Sequence, residues 1–198
     1  QCAFTTKLAR EELLLGEKVE NVLVTGASGG VGSIAVMILN KLGCNVTAVT
    51  SKESNNEYLK SIGAKSITKS SDLDKEPRPL DKGIWDGAVD TVGGNILSNV
   101  LPHIKENGIV AAVGNAGGIK LNTTVMPFII RGVKLWGIDS VQTSNKRREF
   151  LWGEASKLID FALLEKSIKE INLEELLNIF PTMLEGKTSG RYIINLDK

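Results

Sequence analysis

"VTGASGGVGSIAV", residues 24–36, runs from a short apolar strand through a glycine-rich turn straight into an amphipathic helix. Val31, Ile34, Ala35, Ile38, Leu39 and Leu42 share one face at helical spacing, so residues 30–42 read as a helix. Upstream, "NVLVTG" (21–26) is a β-branched run ending in glycine, the pattern of a buried strand. The turn between them is Ala27-Ser28-Gly29-Gly30-Val31-Gly32, or G-x-G-x-x-G with alanine in the first place and Gly26 just before it. Gly29 leaves room for the backbone to approach a pyrophosphate, and Gly32 lets the helix pack close to the strand. The helix N-terminus offers unbonded N–H groups and a positive dipole end to phosphate oxygens. A strand, this turn and a helix in that order predict a dinucleotide-binding turn.

Two other phosphate loops fail. "EGKTSG" (185–190) holds the Gly-Lys-Thr that ends a P-loop, but Pro181 stands where the first glycine belongs, and a helix precedes it instead of a strand. "TGASGGVG" also fits the turn of short-chain dehydrogenases, whose chemistry needs a tyrosine followed by lysine four residues on. Tyr58 and Tyr192 are followed there by Ile62 and Leu196.

Working outward, residues 44–51, 65–69, 85–93, 108–118 and 133–141 read as further strands. Residues 54–62, 95–104, 125–131, 144–158 and 173–184 read as helices. Residues 69–83 are polar, carry Pro77 and Pro79, and read as a loop. Residues 5–15, "TTKLAREELLL", have helix character, and "GRYIINL" (190–196) closes as a strand. This alternation predicts an α/β fold, a doubly wound six-stranded parallel Rossmann sheet. The expected organisation is a connecting helix over 1–20, the dinucleotide-binding domain over 21–160, and a segment over 161–198 that leaves the sheet.

Twenty-four basic and 23 acidic side chains nearly cancel in the 198 residues, which argues against nucleic acid or an anionic membrane as partner. No apolar run approaches the roughly 20 residues of a membrane-spanning helix, and the start has no secretory-signal pattern. Cys2 and Cys44 make no disulfide framework, so a cytoplasmic location is expected. With His103 they are too scattered to hold zinc, and no metal is expected; His103 reads as structural. No acid–base or nucleophile constellation is visible.

In NAD-binding sheets an acid near the end of the second strand takes the ribose hydroxyls. Here "VTSKES" (49–54) places Ser51 and Lys52 there. A hydroxyl and an ammonium welcome a 2′-phosphate, so NADP(H) is the expected cofactor. Glu53, one residue further, reads as an acid favoured at a helix start.

"VTGASGGVGS", "DTVGG" (90–94), "TTVMPFIIRGVKLWGIDSV" (123–141) and "GRYIINL" together resemble the medium-chain, zinc-free quinone oxidoreductases, in their acryloyl-CoA reductase-like branch. The 123–141 stretch is the branch-specific piece. The resemblance implies an N-terminal catalytic domain before this chain, to which residues 161–198 return, so that the chain carries an incomplete catalytic domain. It implies hydride transfer from NADPH to the β-carbon of an activated double bond in an acryloyl-CoA-like thioester or a quinone. Carried over by position, Ser28, Gly29, Gly30 and Val31 hold the pyrophosphate, and Thr50, Ser51 and Lys52 surround the adenosine ribose and its 2′-phosphate. Thr91 lies along the cofactor. Asn115, Ile129 and Ser140 approach the nicotinamide end, and Arg191 reaches a phosphate.

The chain departs from the family at Gln1-Cys2-Ala3, where the family has Thr-Ala-Gly before Phe-Thr, and neither Gln1 nor Cys2 is given a role. A homodimer through the strand over 134–141 is also implied. The basic cluster "NKRREF" (145–150) is a candidate for CoA phosphates beside the plainer reading of a solvated helix face. Alone, the chain is expected to bind cofactor without turnover. A non-catalytic NADP(H)-binding module is the alternative.

Overall fold

Strand β1 (Asn21–Val24) shows why the sheet needs cover on both sides: Val22, Leu23 and Val24 are all fully buried, yet alternate residues face opposite ways. Val22 and Val24 join one core and Leu23 joins the other. The same split separates Ala48 from Val49 in β2 (Asn45–Thr50), Val89 from Ala88 in β4 (Trp85–Asp90), and Ala111 from Val110 in β5 (Ile104–Ala112). Continuous apolar strands of this kind belong to parallel sheets buried on both faces. The computed structural model describes residues 19–196.

The sheet has the order β3-β2-β1-β4-β5-β6, with β3 spanning Ala64–Lys69 and β6 Lys134–Gly137, and every pairing is parallel. On one face pack α1 (Gly30–Lys41), α2 (Asn56–Ser61) and α5 (Asn145–Leu158), through Val36, Leu39, Leu59, Ala155 and Leu158. On the other pack α3 (Gly94–Val100) and α4 (Met126–Arg131), through Leu97, Val100 and Phe128. The chain runs outward from β1 to β3, then crosses back to β4, so the C-terminal ends of β1 and β4 flank the switch point where such sheets bind ligands.

The α/β class and the doubly wound six-stranded sheet are as the sequence predicts. Boundaries shift where local chemistry intervenes. The helix expected over 95–104 ends at Val100, a tight turn Leu101–His103 follows with Pro102 in it, and β5 starts at Ile104. β6 stops at Gly137, short of 141, because Asp139 Oδ1 accepts from the N–H groups of Val141 (2.8 Å) and Gln142 (3.1 Å) and turns the chain.

After α5, the chain forms α6 (Phe161–Glu165), β7 (Ile168–Ile171), α7 (Leu176–Leu184) and β8 (Arg191–Ile194). β7 and β8 pair in parallel in a small sheet separate from the large one. α6 and β7, at five and four residues, are too short for periodicity to reveal; the Asp160 side chain caps α6 through the Leu163 N–H. α7 buries none of its residues, and Leu177 and Leu184 are exposed. The helix expected over 5–15, and the departure at Gln1 and Cys2, lie outside the described residues.

Candidate cofactor site

The turn after β1 is held from both sides. The Thr25 N–H donates to Val89 O and the Ala27 N–H to Val49 O, each at 3.0 Å, so the turn sits between β4 and β2. Gly26 adopts φ +57°, and a Cβ there would lie 2.3 Å from Thr91 Oγ1. Glycine is therefore required at 26, one place before the fingerprint's first position, and Ala27 is simply buried. The Gly29 N–H closes the turn on Gly26 O (2.9 Å), and the Ser33 N–H on Gly29 O begins α1. At Gly32 a Cβ would meet Gly26 O at 2.3 Å, so the helix touches the turn as closely as the sequence reading requires.

No side chain caps α1 and its first turn carries no acid, so an electrostatically positive helix start faces the cleft. Above it lies Arg191. Its Nη2 donates to Gly30 O, and the Gly190 N–H donates to Ser28 O at 2.9 Å. Arg191 Nη1 is buried without a hydrogen-bond partner among the described residues. An unmet buried donor costs about 1–3 kcal/mol, and a phosphate oxygen is an acceptor shaped for a guanidinium.

The other wall is the end of β2. Ser28 Oγ and Thr50 Oγ1 stand 3.4 Å apart, and Thr50 Oγ1 accepts from the Lys52 N–H at 3.2 Å. Lys52 Nζ donates to the carbonyl of Thr188. Partial burial, and then the charge of Lys169, hold the Lys52 ammonium below the ordinary lysine range. The third wall comes from β4. Asp90 is fully buried and accepts from Thr25 Oγ1 (2.7 Å) and the Gly93 N–H (2.9 Å); burial pushes its carboxyl up from the usual aspartate value. Thr91 is locked on Thr25, donating from Oγ1 to Thr25 O (2.9 Å) and from its N–H to Thr25 Oγ1 (3.0 Å).

These walls enclose a cavity of about 330 Å³ that brings together Ser28, Gly29, Thr50, Ser51, Lys52 and Thr91. A second cavity, about 450 Å³, shares Thr50, Ser51 and Ser70 with it and adds Glu53 and Lys69. Gly30 lies beneath Arg191, and Val31 is exposed in the first turn of α1. Asn115 sits in the turn after β5, beside Ala116 and Gly117, which do line the first cavity. Ile129 is exposed on α4, and Ser140 lines a different groove, between α1 and α5. The cavity thus gathers Ser28, Gly29, Thr50, Ser51, Lys52 and Thr91, while Gly30, Val31 and Arg191 among the phosphate candidates, and Asn115, Ile129 and Ser140 at the nicotinamide end, are not part of its lining.

The cleft also contains residues to which the sequence reading gave no role at the site. Ser70 follows β3, and Thr188 belongs to "EGKTSG", which follows a helix and is no P-loop, yet docks on Lys52. The signal for Thr188 was its nearness to Arg191. Arg148, in the basic cluster of α5, spends its guanidinium on the carbonyls of Ser140, Val141 and Thr143. His103 bonds Asn99 O through Nδ1 (2.8 Å), packs on Trp85 and faces Asp81, a structural position. Among the described residues no group of His, Cys, Asp or Glu is placed to hold a metal, and no helix is long and apolar enough to cross a membrane.

Residues 30–157 match a family model described as zinc-binding dehydrogenase. The acrylyl-CoA reductase AcuI of Ruegeria pomeroyi is 42% identical over 177 residues, 89% of this chain and 54% of its own. The crystal structure of the YhdH oxidoreductase from Salmonella enterica in complex with NADP superposes with a TM-score of 0.89 at 41% identity, covering 98% of this chain and 60% of that one. Bacillus subtilis YhfP, crystallised with NAD, gives 0.82 at 40% identity, covering 98% and 60%. The chain spans about half the length of the curated relatives it matches. It belongs to the zinc-binding dehydrogenase family of medium-chain dehydrogenases/reductases, alongside the acrylyl-CoA reductases and quinone oxidoreductase-like proteins.

Proposed function

We propose that this chain is the cofactor-binding part of an NADPH-dependent oxidoreductase that reduces an activated C=C bond, in an acryloyl-CoA-like thioester or a quinone. The observation that carries the reading is the pairing of an uncapped α1 start with the buried, unpartnered Nη1 of Arg191, beside a β2 end that presents Thr50, Ser51 and Lys52. The first pair suits a pyrophosphate, and the second a 2′-phosphorylated ribose. The bound nicotinamide supplies the hydride, and the protein orients it and excludes competing reactions. Ser28, Gly29, Gly30 and Val31 offer backbone to the phosphates, Thr91 borders the cofactor's path, and Asn115, Ile129 and Ser140 are assigned to its nicotinamide end. The relatives crystallised with NADP and with NAD support a dinucleotide; Lys52 argues for the phosphorylated one.

Residues 161–196 form α6, the small sheet and α7, whose exposed apolar residues suit packing against a further catalytic unit. β6 is an edge of the large sheet with Trp136 half-exposed, and it supports a homodimer through 134–141. The buried thiol of Cys44, which donates to Val19 O, suits a reducing cytoplasm.

Calorimetric titration with NADPH and NADH tests the reading. Tight NADPH binding, weakened at least tenfold in Lys52→Glu with NADH unaffected, is the expected result. Binding of neither dinucleotide by the folded protein overturns it. Binding without turnover of acrylyl-CoA once the complete protein is assayed favours the non-catalytic module.

A further inference from the structure

Lys69 ends β3 directly beside Thr50, its register partner at the end of β2. Its Nζ lies 2.5 Å from Glu53 Oε1, an ion pair that bridges the end of β3 and the start of the turn leading into α2. Both side chains line the second cavity, which continues from the first across Thr50, Ser51 and Ser70. Glu53 is therefore paired with a lysine through Oε1. Ser51 lines both cavities, with Lys52 in the lining of the first and Lys69 in that of the second. A dianion bound at Ser51 would therefore have a lysine in each of the two adjoining cavities.

We propose that Lys69 is a second cation of the 2′-phosphate subsite, held beside it by Glu53 until a phosphate takes over that pairing, so that Lys52 and Lys69 together discriminate the phosphorylated dinucleotide. The inference rests on the NADPH reading above and adds a residue to it. Exposed ion pairs contribute little to folding, so Lys69 is available to exchange one anionic partner for another. The Glu53 carboxylate also limits the preference, because its charge opposes an incoming phosphate whenever Lys69 does not neutralise it.

The test is the dissociation constant for NADPH and for NADH of the full chain and its Lys69→Met and Glu53→Gln variants, at low and high salt. Lys69→Met is expected to weaken NADPH about tenfold, the order of one charge-assisted hydrogen bond, and to leave NADH within about twofold. That loss shrinks at high salt because the site is solvent-accessible. Glu53→Gln is expected to tighten NADPH severalfold and leave NADH unchanged. Equal effects of Lys69→Met on both dinucleotides, or none on either, overturn the inference, as does weaker NADPH binding by Glu53→Gln. If NADPH binding is lost in Lys52→Glu but untouched in Lys69→Met, the cofactor reading stands and this inference alone falls. If the unmodified chain binds neither dinucleotide, both fall.

Discussion

The hydroxyl of Thr25 donates to Oδ1 of Asp90 across 2.7 Å, tying the ends of β1 and β4 at the switch point of the sheet. Thr25 then engages both the N–H and the hydroxyl of Thr91, so one buried carboxylate fixes two walls of the cleft. Burial raises the Asp90 carboxyl above its ordinary value. Between the ordinary value, about 4, and the folded one, the native state keeps a proton that the unfolded chain has released. The stability tied to this proton is present on the acid side and is lost as pH rises through the folded value. Denaturant unfolding of the unmodified chain and Asp90→Asn across this range should show their difference in stability shrinking as pH rises; a constant difference would contradict the assignment.

Gly32 faces Gly26 O so closely that even a methyl group must move the helix or the turn. Gly32→Ala is expected to cost about 1–3 kcal/mol, as overpacking does, and to weaken NADPH and NADH alike. Thermal unfolding and titration check the two effects separately. Gly43, where a Cβ meets nothing within 4 Å but φ is +82°, is a control in which stability changes and cofactor affinity does not.

Arg191 is assigned to the pyrophosphate, which NADPH and NADH share. Arg191→Ala should therefore weaken both by about tenfold or more, equivalent to one charge-assisted contact. Lys52→Glu acts on NADPH alone. Arg191→Lys restores charge without the two-pronged geometry and should recover only part of the loss. Recovery to full affinity would mean that Arg191 acts as a point charge only.

The edge position of β6 predicts a dimer by sedimentation at micromolar concentration. Trp136→Lys places a charge on that edge and should shift the protein to monomer while leaving its melting temperature within a few degrees. A monomer before mutation excludes this interface.

Much of the sheet was legible because its signals are local. The apolar runs of β1, β2 and β4 and the helical spacing of α1 are patterns within a dozen residues. Boundaries were less so: the Pro102 turn and the Asp139 cap act on only two or three residues and end elements that periodicity would continue. α6 and β7 are shorter than the window in which a period can be recognised. At the site, Ser28, Thr50, Ser51, Lys52 and Thr91 meet in one cavity because each ends or follows a strand beside the switch point. Asn115 and Ser140 follow β5 and β6, further along the sheet, Ile129 lies within α4, and none of the three lines that cavity.

The sequence by itself determined the glycine turn, the strand–helix alternation and the basic end of β2, since steric room and burial preference are properties of neighbouring residues. Only the tertiary structure decided that Arg191 crosses 161 positions to lie on Gly30, that Thr188 meets Lys52, and that Lys69 stands beside Thr50. Such approaches depend on which strands pair and in what register. That choice is made by the packing of two whole cores, and no short stretch of sequence carries it.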